Sequence, residues 1–342
     1  MANNSQKACR YFDIEEKYVY CTTDRYVIDP KECVDMCDEN TIGICKRHTS
    51  TSSSHLTNCA PPLLGAILGT TYTGEYEDIK AINDLLIERN IDVNIHVDAA
   101  SGGFVAPFVN PGLLWDFRLP KVTTINVSGH KYGLVYPGVG WVIWRDPAYL
   151  PQELVYTINY LGADQASFTL NFSRGASQII GQYYQLIRLG KRGYRRIMLN
   201  LTRIADYLAA NLEAMGFVIM SQRGGEGLPL VACRIDEDLG KQYDEFAIAH
   251  QLRERGWVVP AYTMAPHSDK MKMLRVVVRE DFTKSRCDAL LADFKQALAT
   301  LDKLDAKKVE EHREYVLIPL PPFRPFVCLL VDPVSVKLDW IC

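Results

Sequence analysis

The chain has 342 residues, of which 48% are hydrophobic and 23% charged, with a formal net charge of −3 at pH 7. That length supports one large core and a smaller second domain. The near-neutral balance and the lack of a long basic block argue against nucleic acid or an acidic membrane as a partner.

In chain order, KYVYCTT (17–23) reads as a short strand and the DPKE start at Asp29–Glu32 as a helix, with Pro30 placed where its missing N–H does no harm. TIGIC (41–45) and GAILGTTYTG (65–74) read as strands. Residues 76–90 carry Ile79, Ile82, Leu85 and Leu86 at helical spacing. DVNIHVDAASGG (92–103) is an apolar strand that ends in polar and small residues. Strand, helix, strand in this order predicts a βαβ unit and a parallel sheet. VTTINVSGHKYG (122–133) and VGWVIWRD (139–146) add two strands, and a long helix spans about Ser177 to Met215 with a break near Gly190–Gly193. Beyond it, strands at GFVIMSQRG, LPLVACRI, WVVPAYTMA and MLRVVVRE, with helices at YDEFAIAHQLRERG and KSRCDALLADFKQALATLDKL, predict a smaller α+β domain. The expected division is 1–200 for the large domain and 201–310 for the small one.

Two stretches fit neither domain. Residues 46–65 are rich in Ser and Thr, then Pro, and read as an exposed insert without period. Residues 311–342 form an atypical tail, apolar but broken by prolines. The start, MANNSQKACRYFDIEEKY, has no apolar leader segment, and no run of about 18 apolar residues offers a membrane span. Ten irregularly spaced cysteines read as reduced thiols, so a cytoplasmic location is expected. Cys33 and Cys37 lie four apart without a paired His or second Cys cluster, and no metal site is expected.

Asp98 and Lys131 each follow a strand of the same predicted sheet, and ligands of open α/β sheets bind at the carboxyl ends of strands. A carboxylate and an amine there suit a cationic, aldehyde-bearing ring such as pyridoxal 5′-phosphate. Lys131 would join the aldehyde, and Asp98 would keep the ring nitrogen protonated. His130, Ser128 and Thr71 are polar groups at neighbouring strand ends. The competing reading makes Asp98 a turn residue, Lys131 a solvated lysine and His96 a satisfied strand histidine.

HVDAASGGFVAPFV (96–109), WDFRLPKVTTINVSGHKYGLVYPGVGWVIWRD (115–146), LPQELVYTINYLG (150–162) and NFSRGASQIIGQYY (171–184) closely resemble the glutamate decarboxylase family of pyridoxal-phosphate-dependent group II decarboxylases. The resemblance runs from about Lys7 to about Ala306, apart from the insert. It implies an α/β fold class: a large domain of the aspartate-aminotransferase type (fold type I) with a mainly parallel sheet, and a small C-terminal α+β domain. It also implies conversion of L-glutamate to 4-aminobutyrate and carbon dioxide, in an oligomer built from dimers. By the same resemblance, Lys131 is the Schiff-base lysine and Asp98 the ring-nitrogen partner. His130 and Ser128 lie near the cofactor phosphate, Thr71 binds the cofactor, Ser173 reaches the phosphate of a neighbouring subunit, and Arg275 holds the substrate's α-carboxylate.

The family chain is longer at its N-terminus, where the serine-rich phosphate cradle and the side-chain carboxylate site lie. From this the expectation is that the chain alone decarboxylates glutamate poorly or not at all. The insert and tail are expected to be translated non-coding segments of an incomplete reading frame. The tail holds only Arg324 and Lys337 as basic residues, so no calmodulin site is expected. Two alternatives stand beside the decarboxylase: a truncated homologue acting only in oligomerisation, and another pyridoxal-phosphate lyase. A lyase of sulfur amino acids would need a reactive cysteine loop, and no cysteine lies near the Lys131 motif in the sequence.

Overall fold

The computed structural model describes residues 15, 17–38, 41, 63–150, 152–159, 162–167, 169, 173–264, 268 and 270–304. Its first layer is a four-stranded sheet of β1 (Leu63–Ile67), β2 (Asn94–Asp98), β3 (Val122–Ser128) and β4 (Gly140–Trp144), in that order. β1, β2 and β3 run parallel, and β4 runs antiparallel on the β3 edge. Helix α1 (Pro30–Asp35) starts where the Asp29 side chain accepts from the Glu32 N–H, and α2 (Ile79–Glu88) where Asp78 accepts from Ala81. The two caps fix helices whose apolar stripes meet the sheet: Val34, Ile79, Ile82 and Leu86 share one core with Leu64, Ala66, Ile95, Val97, Ile125 and Val127.

Strand parity decides what each face of this sheet does. Ile95, Val97, Ile125 and Val127 belong to the apolar core, while His96, Asp98, Thr124, Asn126 and Ser128 alternate with them. In the β2–β3 register His96 stands opposite Thr124 and Asp98 opposite Asn126.

A short helix α3 (Ala106–Val109) and a hairpin of β5 (Tyr156–Ile158) and β6 (Gln165–Ser167) precede α4 (Ser177–Glu213). Gly190 sits inside α4 with φ of 55°, which bends it in the predicted break. The second layer is a sheet in the order β7 (Phe217–Ile219), β8 (Leu230–Ile235), β10 (Lys272–Val277), β9 (Ala261–Thr263), antiparallel throughout. Helices α5 (Glu245–Glu254) and α6 (Lys284–Leu301) complete its core.

Three expectations change. Residues 17–23 form no strand: Thr22 N–H donates to the Arg25 carbonyl, so the segment closes on itself instead of joining a sheet edge. Leu63–Gly65, assigned above to the end of the insert, are paired in β1 because Leu64 opposite Ile95 is 9% exposed and part of the core. The 200/201 boundary falls inside α4, whose residues from Tyr194 onward already pack in the second core. Residues 46–62, 42–45 and the tail lie outside the described residues. Among the described residues no helix is long and apolar enough to cross a membrane, and no group of three His, Cys, Asp or Glu residues is placed to hold a metal ion.

Candidate active site

The carboxyl edge of β2 and β3 gathers most of the expected residues. Asp98 closes β2, and its Oδ1 accepts from the Asn126 amide at 3.0 Å and from the Ala100 N–H at 3.1 Å. No hydrogen bond among the described residues engages its Oδ2. Behind Asp98 the chain turns through a single 3₁₀ turn, Gly102–Phe104. Gly102 is required there, because a Cβ at this position would stand 2.4 Å from the Leu68 carbonyl oxygen.

Lys131 follows β3 in the turn Ser128–Gly133, and its Nζ donates to Ser101 Oγ at 3.0 Å. Solvent reaches Lys131, yet the surrounding atoms desolvate its ammonium and lower its pKa from the ordinary lysine value. The charge of Asp98 opposes that shift and the charge of Arg275 adds to it, so a carboxylate and a guanidinium both bear on the amine. An amine with lowered pKa is a better nucleophile near neutrality.

The Lys131 turn is clamped from α4. Tyr194 Oη and Gln182 Nε2 donate to the Gly133 carbonyl at 2.9 and 3.0 Å, and Gln185 Nε2 donates to the Leu134 carbonyl at 3.1 Å. Leu134 holds a left-handed φ of 62°, a strained backbone position three residues after Lys131. Tyr132 Oη donates to the Pro229 carbonyl at 3.3 Å, which ties the turn to the second sheet.

Arg275 on β10 reaches the same edge. Its Nη1 donates to the Thr71 carbonyl, its Nη2 donates to Tyr262 Oη at 3.1 Å, and its guanidinium lies 5.0 Å from the Tyr262 ring centre. Its Nε is buried and has no hydrogen-bond partner among the described residues. Thr71 is thus joined to Arg275 through its backbone while its side chain remains exposed. Ser128 pairs its N–H with the Ala100 carbonyl at 3.2 Å beside Ser101, and His130 precedes Lys131 in the turn, partly buried. Ser173 is not brought in: it is exposed ahead of α4, and no hydrogen bond among the described residues ties it to the group.

Ser101, Asn126, Tyr132, Gln182 and Tyr194 enter the site without having been singled out from the sequence. Asn126 carried one readable signal, the polar alternation Thr124–Asn126–Ser128 on a strand whose other face is apolar. Gln182 and Tyr194 gave none, since helical spacing does not say which turn a helix packs against.

Residues 3–236 match the model of the pyridoxal-dependent decarboxylase conserved domain. The chain is 50% identical over 307 residues to a glutamate decarboxylase of Petunia hybrida, spanning 88% of this chain and 57% of that protein. It is 40% identical to a glutamate decarboxylase of Aliivibrio fischeri, with 85% and 60% covered. Among solved structures it superposes on Lactobacillus brevis glutamate decarboxylase with a TM-score of 0.78 and 39% identity, covering 88% of this chain and 64% of that one. A Burkholderia pseudomallei sphingosine-1-phosphate lyase, 20% identical with a TM-score of 0.69, shares the fold, with 92% and 65% covered. The mainly parallel sheet joined to a small α+β layer is the fold type I architecture, as expected.

Proposed function

From the premise that the chain belongs to the pyridoxal-dependent decarboxylase family, we propose that it takes part in decarboxylating L-glutamate to 4-aminobutyrate with pyridoxal 5′-phosphate as cofactor. The chain spans 57% of the petunia relative's length. The observation that carries the reading is the placement of Lys131 and Asp98 after adjacent parallel strands at one sheet edge, where the charges of Asp98 and Arg275 both act on the Lys131 amine. The donor set fits the cofactor: an amine of lowered pKa for its aldehyde, a carboxylate oxygen with no hydrogen bond among the described residues for its ring nitrogen, and polar side chains at the strand ends for its phosphate.

When bound, the cofactor supplies a protonated ring that accepts the electron pair left behind when carbon dioxide departs. Lys131 would hold the aldehyde carbon and later return a proton toward the substrate's Cα. Asp98 would keep the proton on the ring nitrogen by charge. Arg275 would bind the substrate's α-carboxylate, which would give its buried Nε–H a partner. Ser128, His130 and Thr71 would take the phosphate, and Ser173, exposed here, would serve the site of a second copy.

A homo-oligomer built from dimers accords with the exposed apolar residues of β4 and of the first turns of α4, among them Trp141, Val142, Ile179, Ile180, Tyr183 and Ile187. A cytoplasmic location accords with the free Cys21, Cys33, Cys37, Cys233 and Cys287. The test is release of labelled carbon dioxide from L-glutamate by the purified full chain with cofactor, beside L-aspartate. Release from glutamate alone supports the proposal. Release from L-aspartate in preference to L-glutamate, or a purified chain that forms no Lys131-dependent cofactor band, contradicts it; a glutamate rate far below that of a complete relative is the expected outcome.

A further inference from the structure

The carboxylate of Asp98 is the end of a longer chain of hydrogen bonds. Thr124 Oγ1 lies 2.7 Å from His96 Nδ1, His96 Nε2 lies 2.8 Å from Asn126 Oδ1, and Asn126 Nδ2 donates to Asp98 Oδ1 at 3.0 Å. The parallel register makes this possible, since it sets His96 opposite Thr124 and Asp98 opposite Asn126 on one face. Each residue is the second along its strand from the last, so all four side chains share that face.

Donor and acceptor rules orient the chain. Asn126 has one amide group with an NH₂ and a carbonyl oxygen. Its NH₂ must face Asp98, because the reverse would set two oxygens against each other at 3.0 Å. Its oxygen therefore accepts from His96, which must carry its proton on Nε2. The remaining Nδ1 accepts from the Thr124 hydroxyl. Every donor then points toward Asp98, and bonds aligned in one direction strengthen one another. Burial lowers the pKa of His96 from its ordinary value, against the opposing effects of Asn126 and Asp98, which favours the neutral ring that this pattern needs.

We propose that His96 and Asn126 are positioning residues for the ring-nitrogen site: they fix Asp98 with Oδ1 held by the protein and Oδ2 presented to the cofactor. The inference rests on the cofactor reading above and extends it to two side chains whose hydrogen bonds run to Asp98 and Thr124. Without the relay Asp98 keeps only the Ala100 N–H on Oδ1 and gains rotamers that carry its carboxylate off the ring nitrogen. His96 is then more than a histidine satisfied within a strand, because the identity of its donating nitrogen matters.

The experiment uses the full chain. Nitrogen-15 NMR of labelled histidine in the cofactor-free protein is expected to show His96 neutral with its proton on Nε2. Pyridoxal 5′-phosphate is then titrated by absorbance into the parent, His96→Phe and His96→Gln. Phenylalanine keeps a ring without a donor, whereas glutamine can still donate to Asn126. His96→Phe is expected to weaken cofactor binding about tenfold, the lower end of the loss seen in metal sites when the partner behind a ligand is removed. It is also expected to shift the pH midpoint of the bound cofactor's absorbance. His96→Gln is expected to restore both, with thermal midpoints showing that each variant is folded. A proton on Nδ1, or a His96→Phe variant that binds cofactor and titrates like the parent, overturns the proposal. If the parent forms no cofactor band that Lys131→Ala removes, the cofactor reading fails by itself, and the His96 tautomer still judges the relay.

Discussion

The two sheets spend their strand residues differently. In the antiparallel sheet β8 buries Leu230, Val231, Ala232 and Cys233 in succession, and Met273 and Leu274 of β10 meet them. In the parallel sheet parity divides the work, with Ile95, Val97, Ile125 and Val127 in the core and His96, Asp98, Thr124 and Asn126 bound to one another. The far strand of that sheet, β4, is open on both faces: Trp141, Val142 and Ile143 are all exposed. One sheet is therefore a closed core, and the other gives up part of its burial to a row of hydrogen-bonded polar side chains. A substitution in the first should read out as stability, and one in the second as binding.

The strongest stability effect belongs to the closed core. Phe294 is 0% exposed and meets Phe217 edge to face. Phe294→Ala should cost about 3–5 kcal/mol in urea denaturation. A cost under about 1 kcal/mol would show that this core is loosely packed around Phe294.

Next comes Glu77, buried beneath the parallel sheet, where its carboxylate accepts from the Ile67 N–H. Burial pushes its carboxyl up to about 7 from an ordinary 4.5, with backbone donors opposing. A raised carboxyl binds its proton more tightly in the folded state. Its stabilising contribution is complete below about pH 4.5 and is lost as pH rises toward 7. At about 1.4 kcal/mol per pH unit, the loss is on the order of 3 kcal/mol. Glu77→Gln should flatten the stability profile between about pH 5 and 7 relative to the parent, as measured by denaturation at a series of pH values. Parallel profiles for parent and variant would remove Glu77 from the account.

The division of labour was partly legible in the sequence. Ile79, Ile82 and Leu86 at helical spacing, and the alternation of Ile95 and Val97 in β2 and of Ile125 and Val127 in β3 with polar residues, describe elements whose contacts are local. Asp98 and Lys131 were legible because strand ends of a parallel sheet face one edge. The Asp98–Asn126 and His96–Thr124 pairs were not, because they depend on strand register, which spacing within one strand does not give. The segment 17–23 misled for a related reason: a β-prone composition forms a strand only where a sheet edge accepts it. Gln182 and Tyr194 came into view only when the kinked α4 was seen against the Lys131 turn.

Smaller effects sharpen the contrast. Tyr132→Phe removes the bond to the Pro229 carbonyl that spans the two layers, and should cost about 0.5–1.5 kcal/mol by chemical denaturation. No change would mean that the other contacts between the layers, among them Tyr76 to the Gly227 carbonyl and Gln222 to Glu75, carry the joint without it. Val142, 54% exposed on β4, should tolerate Thr within about 0.5 kcal/mol. Light scattering should show less self-association for that variant at raised concentration. A large stability loss there would mean that β4 is covered within the chain.

The central claim, that the open sheet edge is built around a reactive lysine, is tested most directly by covalent trapping. The full chain is incubated with pyridoxal 5′-phosphate, reduced with borohydride, digested and read by mass spectrometry. The expected result is one pyridoxyl adduct on the peptide containing Lys131, lost in Lys131→Ala and weakened in Asp98→Asn. Labelling spread over exposed lysines such as Lys80 and Lys284, with Lys131 no different from them, would contradict it.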